Sequence, residues 1–491
     1  MNPLASNRVG STAAPSTTGR WGSALNNRSR PDPVSTSDTA TESQSLPPPQ
    51  IARGSSWFLL AVAVTAAGGF VAWAIAARMQ PPEVVGAAAL LFALVMFVNY
   101  LTGMGLPVAV ARFGHGSSDT VEPLWLWAVT YTSVASAVGT VGFVLIAPGL
   151  LGSRRVEPIM SLGLPWAALL FFVVVNGISL AALAEMRFVT MRAWGALLLR
   201  VVGFTALRLP LLFIPAIAGE PLGLFLIVAG PPALSGWLAV GALALQPAAR
   251  RWAALRPLPA GLENAWRFAT VNWFGTLAAQ APQFSIPLIV AAAVAVDVNA
   301  AFYLAWSITM VVFLVPHTIS QVVLSEASRF GGAPNHLFRV GLSLSLSAMV
   351  LAALGAWVFG GLATTVFGED YQVTSDLLLT LCAAGIPWAI TSTSLARVRA
   401  LGASGATVAI TAGFASLTLV PVAVLTRSVG VNGTATGWLA GNLAAAVLAV
   451  AVTRLAVGRA ADPPGEPADG GDLERPTVRS ESLVTDGPGE Q

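Results

Sequence analysis

An all-α, polytopic membrane protein is the fold class this sequence predicts, and three observations predict it. Hydrophobic residues make up 55% of the 491-residue chain and charged residues only 10%, where soluble domains carry roughly a quarter. Mean hydropathy is +0.72. Uninterrupted apolar runs of about 20 residues recur from Ser56 onward, each long enough to cross a hydrocarbon layer of about 30 Å as a helix.

Along the chain, residues 1–52 ("STAAPSTTGR", "PDPVSTSDTA", "SLPPPQ") come first, rich in Ser, Thr, Pro and Ala and without apolar periodicity. They cannot bury enough surface to fold and read as a disordered tail. They are not a signal peptide, because the first apolar run begins too late and is followed by more spans without a cleavage site. Twelve spans follow, near 56–77, 84–104, 123–147, 159–184, 193–216, 221–245, 266–293, 298–323, 338–362, 375–396, 402–425 and 433–457. Residues 458–491 ("DPPGEPADGGDLERP") form a second, acidic tail.

An even number of spans puts both ends on one side, and arginine chooses the side. With the ends cytoplasmic, inner loops and flanks hold fourteen arginines between Arg53 and Arg459, and outer connections hold four: Arg78, Arg154, Arg155 and Arg427. The positive-inside rule therefore places both termini in the cytoplasm, in a plasma or inner membrane. All 26 basic residues are arginine, so every fixed cation is a permanently charged, bidentate one; codon usage of a GC-rich genome accounts for that bias most simply.

The connection at 246–262 is basic and proline-bearing and divides the membrane region into an N-lobe (53–245) and a C-lobe (263–457). Weak correspondences at offsets of 211 to 216 ("WF" at 57 and 273, "PPEVVGAAALL" with "AVDVNAAFYLA", "AEMRFVTMRAWG" with "LARVRALGASG") suggest duplication. Six spans per half make the repeats parallel, with a site expected between them near the midplane.

Three stretches carry a family resemblance: "ARMQPPEVVGAAALLFALVMFVNYLTGMGLPVAVARF", "VFGEDYQVTSDLLLTLCAAGIPWAI" and "VGVNGTATGWLAGNLAAAV". With Arg78, Pro82, Glu83, Gly86, Gly105 and Leu106 in the matching positions, the chain resembles the polysaccharide-export branch of the multidrug, oligosaccharidyl-lipid and polysaccharide exporter superfamily. The resemblance implies two six-helix lobes around a central cavity. It also implies a flippase that moves undecaprenyl-pyrophosphate-linked oligosaccharide from inner to outer leaflet for cell-surface polysaccharide or lipopolysaccharide biosynthesis. Lipid-linked oligosaccharide and membrane lipids would then be its ligands, and a polysaccharide polymerase or glycosyltransferases its protein partners. A small-molecule or multidrug exporter of the same superfamily is the competing reading.

Arg200 and Arg208 are the leading candidates for substrate binding. Both lie in the fifth span, at about 10 and 22 Å along a helix rising 1.5 Å per residue. A mid-membrane arginine costs at least ~2.5–3.5 kcal/mol and usually faces protein or a wet cavity, and eight residues turn the helix by only about 80°. Such donors suit an anionic headgroup. The alternative is that Arg200 snorkels to the interface and Arg208 serves a carbonyl freed by Pro210. Asn272, Thr276, Gln280 and Gln283 form a polar stripe on the seventh span, and Asn99 stands alone in the second; each can bind sugar hydroxyls or join helices. Trp73, Tyr303 and Trp306 can stack on sugar rings or belong to interfacial aromatic belts. His317 can titrate or bridge helices.

No buried acid for ion coupling is evident, since Glu185, Asp297, Glu369, Asp370 and Asp376 fall at span ends. An anionic headgroup can instead draw on the membrane potential. Cys382 has no partner, no metal-ligand spacing or cofactor motif occurs, and scattered arginines with a net charge of +3 argue against nucleic acid. A membrane enzyme such as a glycan polymerase needs catalytic acids on a sizeable outer loop, which connections of about 4 to 17 residues do not provide.

Overall fold

The computed structural model describes residues 48–114, 118–245, 262–329 and 335–461. Among these described residues twelve helices are long and apolar enough to cross a membrane, and the spans lie in one compact unit, Ala52–Gln491. They are α1 (Pro48–Met79), α2 (Pro82–Thr102), α3 (Ser118–Leu151), α4 (Leu164–Thr190), α5 (Trp194–Leu211), α6 (Pro221–Ala244), α7 (Leu262–Ala293) and α8 (Val296–Arg329). After these come α9 (Asn335–Phe359), α10 (Gln372–Ala383 continued by Gly385–Ala400), α11 (Ser404–Val429) and α12 (Val431–Ala461). The side bearing the 1–2, 3–4, 5–6, 7–8, 9–10 and 11–12 turns is the hairpin face, and the opposite side is the terminal face. Residues 1–47, 462–491 and most of the connection at 246–262 lie outside the described residues.

Several span limits differ from the sequence-based ones, for local reasons. Helix α1 starts at Pro48 and α12 runs to Ala461, each a few residues inside a segment expected to be disordered. Prolines fit a first helical turn, whose N–H groups have no acceptor in any case, and alanine is the best helix former. The fourth span starts at Leu164, not 159, because Ser153–Met160 is a separate short helix and Leu164-Pro165 begins a new one. Helix α5 ends at Leu211, and Pro215–Ala218 is a separate turn. The second span breaks at Gly103–Gly105, and Leu106–Phe113 forms a short helix on the terminal face. Gly105 has φ +65°, and a side chain there would also strike the Ala269 carbonyl of α7, so glycine is required on both counts.

Helix association in lipid depends on close packing instead of water exclusion. Accordingly Leu199, Val447, Leu150, Trp357 and Leu351 face outward, while small residues lie at the contacts. Gly433, Gly437 and Gly441 lay one face of α12 directly on the α11 backbone, and Gly177 and Gly236 do the same for α4 and α6. Polar groups turn inward: Ser179 donates to Asn99 Oδ1 at 2.5 Å, and Arg187 pairs with Glu122 at 2.5 Å with both side chains 9% exposed.

The first six spans pack among themselves through α2, α4 and α6, and the last six through α8, α10, α11 and α12; α2 joins the halves by contacting α7 and α8. On the hairpin face Gly86 meets the Val296 carbonyl, and Asn299 Nδ2 donates to the Gly86 carbonyl at 3.1 Å. Arg155 donates there to the Ala292 and Val294 carbonyls at the end of α7. On the terminal face Trp273 Nε1 donates to the Leu101 carbonyl at 3.1 Å, Tyr100 to the Leu277 carbonyl, and Arg112 lies 4.4 Å from the Phe268 ring centroid.

Candidate functional site

Between the two halves, at mid-bundle, lies a cavity of about 260 Å³ whose wall includes Arg208, Gln283, Ser307, Thr65, Trp73 and Tyr303. Among the described residues Arg208 is the single charged side chain that lines it. Its guanidinium sits near Gly69, at the middle of the α1 apolar stretch Leu60–Met79. The residue is 5% exposed. Among the described residues it takes no hydrogen bond and no ion pair, and Nε is buried without an acceptor. Its one close partner is the Phe204 ring, 5.7 Å away. Only its Nε is both fully buried and without a partner, so the rest of the guanidinium presents free N–H donors in the fork geometry that fits an oxyanion.

The aromatic wall is built by packing. Trp73 meets Phe92 at 6.1 Å and Tyr303 at 5.1 Å in edge-on geometry, the arrangement favoured by ring quadrupoles. Trp73, Tyr303 and Trp306 are thus buried at the cavity and do not form an interfacial belt.

A second space, about 710 Å³, is a cleft between α1 and α8 in the half toward the terminal face. Val62, Ala63, Ala67, Leu314, Val315 and Ile319 are among its walls, and among the described residues Thr318 is the one polar group that lines it. Ala66, Phe70 and Val311 line both the cleft and the cavity. The two spaces therefore share a wall, one side apolar and the other cationic.

No family model matches the sequence. Among solved structures, an inward-facing multidrug-resistance MATE-family transporter of the MOP superfamily aligns with a TM-score of 0.66 at 14% identity, over 80% of this chain and 94% of that one. The lipid II flippase MurJ, in an inward closed conformation, aligns at 0.63 and 12% identity, over 81% and 87% of the two chains. The fold is that of the MOP-superfamily transporters. A curated protein of Mycolicibacterium smegmatis named as the zinc metalloprotease Rip2 is 33% identical over 223 residues, 41% of this chain and 85% of that protein. None of the three histidines here precedes a glutamate, so the HExxH zinc motif is absent from the sequence.

Within this MOP fold the predicted site residues separate. Arg208 and Gln283 line the cavity. Arg200 does not: its Nη2 donates to Glu185 Oε2 at 2.8 Å and its Nη1 to Ser235 Oγ at 3.3 Å, across α4 and α6. Asn99 is engaged by Ser179, and Asn272 donates to the Phe268 carbonyl of its own helix at 2.8 Å. Thr276 and Gln280 are exposed, respectively two turns and one turn from Gln283 toward the terminal face. His317 is exposed seven residues beyond the cavity-lining Met310, on the same side of α8.

Sequence reading did not foresee Glu185 as the partner of Arg200, although a carboxylate at the end of an apolar span was a visible signal. It also gave no hint of the Arg155 bonds to α7, which depend on how a surface turn lies over the other half.

Proposed function

We propose that this protein is a flippase for anionic lipid-linked oligosaccharide, moving the headgroup through the Arg208 cavity by alternate opening of the two halves. The single observation that supports this most is the shared wall at Ala66, Phe70 and Val311, where an apolar cleft of about 710 Å³ adjoins a cavity with one unpaired guanidinium. An amphiphile has that division of polarity: a hydrocarbon tail rests between α1 and α8 in contact with lipid, and a charged sugar headgroup sits inside. The rings of Trp73, Tyr303 and Trp306 and the polar groups of Gln283 and Ser307 suit sugar faces and hydroxyls. The sequence resemblance to polysaccharide exporters and the MOP fold are consistent with the same reading, as is the cytoplasmic placement of both termini that the arginine distribution predicts. Arg200 supports the site by holding α5 to α4 and α6; Asn99 and Asn272 join helices, and Thr276 and Gln280 line the approach.

A drug exporter of the same superfamily shares the fold, but a positive cavity repels the organic cations such exporters carry. The test is reconstitution of the full chain in vesicles with a dye-quenchable polyprenyl-linked oligosaccharide distributed over both leaflets. Quenching by a membrane-impermeant reagent should become complete with the wild type and stay at half with Arg208→Ala. Equal flipping by the two proteins would sink the assignment.

A further inference from the structure

We infer that the central cavity is matched to a lipid headgroup carrying one negative charge, a phosphodiester, and not to a doubly charged diphosphate. This rests on the reading of the cavity as the headgroup site of an amphiphile exporter. The argument is a charge count. Helix α5 brings two guanidinia to the Phe204 ring, Arg200 at 5.8 Å and Arg208 at 5.7 Å from its centroid. Two cations in sequence suggest a site for the two charges of a pyrophosphate. The fold cancels one of them, because Glu185 lies 2.8 Å from Arg200, whose side chain is only 8% exposed.

What faces the cavity is then a single positive charge. Among the described residues no acid and no second base lines the cavity, and the remaining polar groups there, Thr65, Gln283 and Ser307, are neutral. One phosphodiester oxyanion pair completes the planar fork of Arg208. The second charge of a diphosphate would enter a space walled mostly by apolar and aromatic side chains with no second cation to meet it, the situation that makes buried charge costly. His317 and Arg399 lie farther toward the terminal face and are not cavity residues. Space points the same way: about 260 Å³ is below the ~300–1,000 Å³ of sites for drug-sized ligands, so one phosphate and the ring attached to it fill the cavity.

The experiment is competition binding to the full chain in nanodiscs, with a fluorescent polyprenyl phosphoryl-hexose as the probe. The competitors are the unlabelled phosphoryl-hexose, the diphosphoryl-hexose on the same polyprenol, and phosphatidylglycerol. The phosphodiester glycolipid should displace the probe at roughly a tenth of the concentration needed with the diphosphate, since one uncompensated charge separates them. Displacement by phosphatidylglycerol as effective as by the glycolipid supports the one-charge match and assigns its source to bulk phospholipid; weak displacement assigns it to the glycolipid. Glu185→Gln, which frees Arg200, should narrow the gap between mono- and diphosphate in protein that still binds the probe. A diphosphate that competes as well as or better than the phosphodiester overturns the inference while leaving the flippase reading intact. Probe binding that is unaffected by Arg208→Gln removes the reading itself.

Discussion

Arg200 and Glu185 form an ion pair at 2.8 Å between α5 and α4, fifteen residues apart in sequence, and this pair decides which arginine of α5 is available to a ligand. Removing the carboxylate leaves a guanidinium inside the bundle without a counter-charge. Because Glu185 is 26% exposed, the low end of the buried-pair range applies, a loss of about 3 kcal/mol for Glu185→Gln. A thermal melt in detergent should show the drop. Replacing both residues with leucine should recover most of it, since no stranded charge then remains.

Arg208 behaves in the opposite sense. It has no hydrogen-bond or ion-pair partner among the described residues, only the Phe204 ring, so Arg208→Leu removes a largely uncompensated cost on the order of 2.5–3.5 kcal/mol. The expected result is an unchanged or raised melting temperature together with loss of flipping, the trade-off typical of a functional site. A lowered melting temperature would show the side chain to be structural.

The hairpin face is closed by backbone contact at Gly86, where any Cβ would run into the Val296 carbonyl. Gly86→Val should therefore hold the two halves apart on that face. A cysteine placed at Val298 of α8, beside this contact, should react faster with a membrane-impermeant thiol reagent in that background than in the wild type. Cys382 is buried and adds little to the signal.

Arg155 reaches across the same face to the carbonyls that end α7. Hydrogen bonds from a charged donor at a partly exposed position contribute about 1 kcal/mol, so Arg155→Ala should change the ratio of closed to open hairpin face roughly fivefold. Spin-label distances between the 3–4 and 7–8 turns would report the shift.

The cleft between α1 and α8 can be filled without touching the cation. Ala66→Trp places a large ring at the wall shared by cleft and cavity. It should abolish flipping of lipid-linked substrate while the purified protein keeps its melting temperature. Undiminished flipping would show that the tail takes another route.

Much of the fold was legible in the sequence because the bilayer imposes a simple rule on it. A spanning segment needs about twenty apolar residues, and every connection breaks that pattern with Gly, Pro or charge. Span ends were less legible where proline acts as a helix starter, as at Leu164-Pro165, or where left-handed Gly105 fits the chain against Ala269.

Of the site, the order of residues alone reveals that two permanent cations ride on one apolar helix, that α7 carries a polar stripe, and that neither a cofactor motif nor a zinc motif accompanies them. These follow from residue type and helical period alone. That Arg200 is neutralised and Arg208 is not emerges from the packing of the helices. The reason is that Coulomb interaction depends on separation through space, and the packing of α4 against α5 brings Glu185 to Arg200 while leaving Arg208 beside aromatic rings and the open cavity.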